Sequence, residues 1–154
     1  MLRSKLHRRA RSRIDSLRRI PMFADLTPDA LAHLDAHMAE IELPAGATLM
    51  TERERGREAL IMADGLAEVS VDGRPVTSVS AGDLVGEMAL LDSGPRTATV
   101  TALTPVRIYV LDARQFAVLF EHPDTARWVA TALARRVREA DERARVASAV
   151  SLAI

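Results

Sequence analysis

The stretch DLVGEMALLDSGPRTATV, residues 83–100, sets one carboxylate, Glu87, and one guanidinium, Arg96, on either side of a short apolar turn. Either the two charges satisfy each other as a structural ion pair, or they hold a ligand that carries both hydroxyls and negative charge. Val85 reads as the end of a strand, Gly86 as a tight bend and EMALL as one helical turn, so unpaired backbone N–H groups gather where the helix starts. Such a cluster suits an anion. Arg96, entering the next strand behind Pro95, adds a planar fork for two phosphate oxygens that a lysine copies poorly. A carboxylate in a phosphate site repels the ligand unless it faces a donor, and a ribose hydroxyl is a suitable donor. The combination fits a sugar phosphate better than free phosphate, with the Thr97 hydroxyl available to a phosphate oxygen or a base edge.

Outward from this stretch the chain divides into three. All seven glycines, Gly46, Gly56, Gly65, Gly73, Gly82, Gly86 and Gly94, lie in its middle. There ATLMT, EALIMA, LAEVSV, PVTSVS, TATVTAL and VRIYVLD read as short strands between glycine-bearing bends, and the alternation Ala67, Val69, Val71 marks a half-buried strand. Asp72 and Gly73 stand where a two-residue hairpin turn needs positive φ. Repeated short strands with such turns predict an antiparallel β-roll over about residues 41–111.

The flanks read as helices. LTPDALAHLDAHMAE begins with Thr27 as N-cap, Pro28 in the first turn and Asp29 at the positive helix end, followed by the stripe Leu31, Leu34, Met38. A second helical stretch starts near Asp112, with Phe116, Leu119 and Phe120 on one side, and Pro123 breaks or restarts it. From there no Gly or Pro interrupts the chain, and Val129, Leu133, Val137, Ala140, Ala144 and Ala147 recur at steps of four and three. That stripe seats a long helix on its own domain or on a twin in a homodimer. C-terminal helices are expected over about 112–147, then an apolar tail, 148–154.

Residues 1–20 hold eight Lys or Arg against one acid, Asp15, a balance of +7 that the rest of this neutral chain offsets. Leu2, Leu6, Ala10, Ile14 and Leu17 are spaced helically through them, so the segment can form a basic amphipathic helix. Its arginine face can meet nucleic acid, a membrane surface, an acidic partner protein or the chain's own acids, or stay solvated. With 154 residues, 48% of them apolar, one core is expected. Only five residues are Phe, Trp or Tyr, so that core rests on Leu, Val, Ala and Ile. The absence of Cys removes disulfides, thiolate nucleophiles and zinc ribbons, and no apolar run approaches a membrane span. A cytoplasmic location is the expectation.

GDLVGEMALLDSGPRTATV resembles the phosphate-binding cassette of the cyclic nucleotide-binding domain, a family that includes the catabolite activator protein, protein kinase A regulatory subunits and gated cation channels. The resemblance runs from about IPMFADLTPDALAHL through LPAGATLMTERERG and LIMADGLAEVSVDG to the helices after VLDARQFAVL, with Gly46, Gly65, Gly82 and Gly86 in register. It implies an α+β fold, a jelly-roll-like β-roll flanked by N-terminal and C-terminal helices, within residues 21–147. It further implies that Glu87 accepts the ribose 2′-hydroxyl and that Arg96 holds the exocyclic phosphate oxygens. Backbone around Gly86, Met88, Ala89 and Ala98, with the Thr97 hydroxyl, would complete a polar cradle, and Val85 would line the ribose and base. A residue of the last helix covers the base in this family; Leu133, Arg136 and Val137 are the candidates. Family frequency favours cAMP as ligand, and Thr97 also permits cGMP.

Catalysis and metal binding find less support. A cupin-like roll needs inward histidines, yet His7, His33, His37 and His122 all lie outside the strands. His33 and His37 are four apart on one helix, without a third ligand at hand. Ser93 lies in a turn with no His at motif distance. No enzyme, metal site or cofactor is therefore expected. After the long helix, ERARVASAVSLAI leaves no room for a helix-turn-helix, so the resemblance implies a stand-alone receptor that acts on an effector protein. The alternatives are a nucleic-acid-associated regulator docking through its basic helix and a ligand-free scaffold in which Glu87 and Arg96 pair.

Overall fold

The computed structural model describes residues 13–153. Within them the chain runs from helices into eight strands and back to helices. A helix α1 (residues 13–18) and a 3-10 turn (Pro21–Phe23) lead to α2 (Pro28–His37). Then come β1 (Ala39–Leu43), β2 (Thr48–Met50), β3 (Glu58–Asp64), β4 (Leu66–Val71), β5 (Arg74–Ser80) and β6 (Leu84–Val85). The short helix α3 (Glu87–Asp92) precedes β7 (Thr99–Ala102) and β8 (Val106–Asp112), and α4 (Ala113–Glu121) and α5 (Pro123–Ala153) follow.

The strands form two antiparallel sheets, one ordered β1-β8-β3-β6 and the other β2-β7-β4-β5. Side-chain alternation along β3 and β8 divides the core in two. Ala59, Ile61, Tyr109 and Leu111 point to the helices and pack with Phe23, Leu31, Leu34, Phe116, Leu119 and Val129. Their neighbours Leu60, Met62, Val106 and Ile108 turn toward the second sheet and pack with Met50, Ala67, Val79, Val85, Val100 and Ala102. A sheet covered on both faces needs apolar residues at every position, which is why EALIMA reads as a continuous run.

Local chemistry fixes the joints. Thr27 caps α2, its hydroxyl accepting from the Ala30 N–H at 3.2 Å. Asp112 and Gln115 form a reciprocal capping box at the start of α4. Asp72 and Gly73 turn the β4–β5 hairpin at φ 50° and 74°.

Two expectations change. Helix α2 stops at His37, and residues 39 and 40, read as its continuation, open β1, which pairs from Ala39↔Val110 to Leu43↔Val106. Four of the five β1 residues are exposed, so it lacked the apolar alternation that marks a strand; the ladder to β8 decides it. Strand β6 ends at Val85 as expected and spans only two residues. The segment 148–153, read as a tail, continues α5, since Ala-rich sequence without Gly or Pro propagates a helix already begun.

Residues 1–12 of the basic segment and Ile154 lie outside the described residues. The visible part of the segment uses the chain's own acids. Arg13 pairs with Asp35 through its Nε, reaches the Asp35 and Met38 carbonyls, lies 3.7 Å from Glu40 and stacks 5.8 Å from the Tyr109 ring centroid. Arg18 and Arg19 stay exposed. Among the described residues no helix is long and apolar enough to cross a membrane.

Candidate functional site

A cavity of about 400 Å³ opens between the second sheet, α3 and α5, a size ordinary for a small-molecule site. Its floor is the apolar inner face of the roll, including Met50, Val69, Val79 and Val100. One wall is the segment from β6 through α3 to the start of β7, residues 85–98. Val85, Gly86, Met88, Ala89, Arg96, Thr97 and Ala98 all line it. The opposite wall is α5, which contributes Leu133, Arg136 and Val137 and, one to two turns further, Glu139, Ala140 and Arg143.

The backbone explains this wall. Gly86 adopts φ 82° between β6 and α3, and Ser93 ends α3 at φ 56°. The chain thus enters and leaves its short helix by left-handed residues, the first supplied by glycine without steric cost. Val85 and Ala89 are buried and anchor the segment, whereas Met88 and Thr97 are exposed toward the opening.

Arg96 is held by carbonyls. Its Nη1 donates to the Gly86 oxygen at 2.9 Å and its Nη2 to the Glu58 oxygen at 2.7 Å. Two of its five N–H donors are thereby used, and the guanidinium plane is fixed with others to offer. Burial pulls its pKa below the ordinary arginine value, while Glu58 and Glu87 act in the opposite direction. Arginine stays charged throughout.

Glu87 is the least exposed charged residue described, at 1%. It lies behind the cavity wall between Gly86 and Met88, and its Oε1 pairs with Arg136 Nη1. Arg136 Nη2 donates to the Leu84 carbonyl. The other carboxylate oxygen, Oε2, is buried without a hydrogen-bond partner. The Glu87–Arg96 ion pair offered as an alternative is therefore replaced by one between Glu87 and Arg136. Arg136, one of three candidates to cover a base, bridges α5 to the roll.

Sequence reasoning missed the apolar floor beyond Val85 and the outer α5 residues Glu139 and Arg143. Alternation in β4 and β5 carried the first signal; four-residue spacing on α5 carried the second. Among the described residues no group of three or more His, Cys, Asp or Glu is placed to hold a metal ion.

Comparison with known proteins agrees with this geometry. Residues 40–122 match the family described as cyclic nucleotide-binding domain. A CRP-like cAMP-activated global transcriptional regulator of Mycobacterium tuberculosis is 30% identical over 128 residues, covering 79% of this chain and 57% of the regulator. The catabolite activator protein of Thermus thermophilus superposes with a TM-score of 0.70 at 28% identity, over 83% of this chain and 63% of that one. The cAMP-bound structure of PfPKA-R reaches a TM-score of 0.81 over 91% of this chain and 49% of that one, and at 22% identity shares the fold. The chain spans 57% of the length of that regulator and 33% of a cyclic nucleotide-gated potassium channel of Rhizobium etli that it also matches, so it covers only part of these curated relatives. With the family matched over more than half of its residues and the roll flanked by helices as in its structural neighbours, the chain belongs to the cyclic nucleotide-binding domain family.

Proposed function

We propose that this cavity binds a cyclic nucleotide, cAMP before cGMP, and that occupancy is passed to another protein through α5. One observation carries the reading: the buried, unpartnered Oε2 of Glu87, one residue away from cavity-lining Gly86 and Met88. A buried acceptor without a donor costs about 1–3 kcal/mol. A ribose 2′-hydroxyl reaching Oε2 would remove that cost while Arg136 keeps Oε1. The phosphate would then lie against the free donors of Arg96, with Thr97 and the backbone of Ala98 beside it. The base would rest on the valines of the floor under Leu133 and Val137. Support for cAMP comes from relatives: the matched regulator is cAMP-activated, and the PfPKA-R structure is cAMP-bound.

The same carboxylate supports the transmission step. Glu87 lies between cavity-lining Gly86 and Met88 and pairs with Arg136 of α5, so a nucleotide that reached and ordered Glu87 would also favour the docked position of Arg136. Affinity and helix position are then linked as two faces of one equilibrium. The reading makes the chain a receptor rather than a catalyst.

Titration calorimetry with cAMP and then cGMP, with Arg96→Ala as control, tests the binding. Saturable binding that the variant loses is the expected result. Silence in calorimetry and in a direct binding assay would instead favour the ligand-free scaffold, with Arg136 as the permanent partner of Glu87. Hydrogen exchange along α5 with and without nucleotide tests transmission; unchanged exchange in saturated protein would refute it.

A further inference from the structure

The guanidinium of Arg96 lies in a slot walled by two glycines. A Cβ built on Gly56 would stand 2.2 Å from Arg96 Cζ and Nε and 2.7 Å from Nη1, and one on Gly86 would stand 2.4 Å from Nη1. No side chain fits at either position with the guanidinium where it is. The two glycines differ in what else they do. Gly86 adopts φ 82°, and its Cβ would also meet Met50 Cε at 2.9 Å and the Glu58 carbonyl at 3.2 Å, so replacing it strains the turn itself. Gly56 is not in the left-handed region, and the three nearest atoms to its Cβ all belong to the end of one flexible side chain.

The loop that carries Gly56 grips Arg96 by its backbone as well. The Arg53 N–H donates to the Arg96 carbonyl and the Arg96 N–H to the Glu54 carbonyl, both at 2.8 Å. Arg55 and Pro95 form an isolated bridge beside them. Glu58, two residues after Gly56, supplies the carbonyl on Nη2. Residues 53–58 thus fix the backbone of Arg96, accept from its guanidinium and leave the space in which it lies.

We propose that Gly56 is a positioning residue for ligand binding: its missing side chain sets where the Arg96 guanidinium stands at the cavity rim. The inference rests on the reading of Arg96 as the phosphate contact. A methyl group at residue 56 leaves the backbone relaxed and pushes the guanidinium off the Glu58 and Gly86 carbonyls. The contact a phosphate needs then moves by more than a hydrogen bond tolerates.

The test compares wild type with Gly56→Ala by two readouts: cAMP affinity and the NMR resonances of the Arg96 Nε–H and Nη–H groups. Thermal unfolding establishes that both are folded. The expected result is altered Arg96 resonances and affinity weakened about ten- to a hundredfold, the scale of a lost charge-assisted contact. In an Arg96→Lys background, where no guanidinium fills the slot, Gly56→Ala should add no more than about a twofold loss, because the coupling has been removed. Wild-type resonances together with wild-type affinity in Gly56→Ala would overturn the proposal. So would an equal loss in both backgrounds. Should the wild type bind no nucleotide, the function proposed above fails on its own, and the Arg96 resonances alone decide the positioning: shifted by Gly56→Ala they support it, unshifted they overturn it.

Discussion

Each of the two cores contains a buried oxygen without a partner, and the surroundings give the two opposite meanings. On the helical side of the first sheet one such oxygen, among the described residues, is the hydroxyl of Tyr109, a fully buried residue in the cluster that holds Leu17, Phe23, Leu34 and Leu111. On the cavity side it is Glu87 Oε2, behind a wall that opens between the roll and α5. An orphan in close packing is a cost of the fold, offset by the apolar contacts around it. One beside a cavity marks a place for a donor that arrives from outside. On the function proposed above, the helical core is complete in itself, while the inner core is finished by a ligand.

If that division holds, substitutions on the two sides separate stability from affinity. Leu111→Ala, in the helical core, should cost the most, about 3 kcal/mol in denaturant unfolding, with cAMP affinity unchanged under conditions where the variant is folded. Arg96→Ala should do the reverse, weakening cAMP binding on the order of 100-fold by calorimetry while the unfolding midpoint stays near wild type. Arg136→Ala should weaken binding only about fivefold, since Oε2 keeps its acceptor role, yet abolish the ligand-dependent protection of α5 in hydrogen exchange. A variant that keeps that protection would show that α5 senses the ligand through another contact.

Tyr109→Phe should have the smallest effect, between neutral and about 1 kcal/mol more stable, because it removes a buried hydroxyl with no partner. Its size also depends on pH. Burial, and after it Glu40, raises the Tyr109 pKa above the ordinary tyrosine value. The folded state therefore holds its proton longer than the unfolded chain does. The contribution to stability is intact below about pH 10 and declines as pH rises through the folded pKa. Unfolding curves across that window should be flatter for the Phe variant, with nucleotide affinity at neutral pH unaltered.

The cassette was legible because its information is contiguous. Gly86, Glu87 and Arg96 lie within eleven residues, and a glycine at a bend followed by a short apolar helix allows few backbone paths. The β-roll was legible as strands and turns, apart from β1, whose exposed side chains look like the end of the helix before it, and β6, which is too short to show a period. The bond between Glu87 and Arg136 spans 49 residues. Arg136 stands among Arg135, Arg138, Arg143 and Arg145 on a helix where nothing local distinguishes it. Gly56 looked like one more turn glycine, since its purpose is a neighbour 40 residues away that only the folded chain brings to it. Local rules place backbone; long-range pairs need the fold.

Helix α5 continues without a break from its contact with the roll to Ala153. At a rise of about 1.5 Å per residue, Ala153 lies roughly 25 Å beyond Arg136, so a tilt of about 10° there moves the far end by about 4 Å. The helix has in that sense the geometry of a lever with its fulcrum at the Glu87–Arg136 pair. On the transmission proposed above, a small tilt at Arg136 would become a displacement large enough for another surface to distinguish.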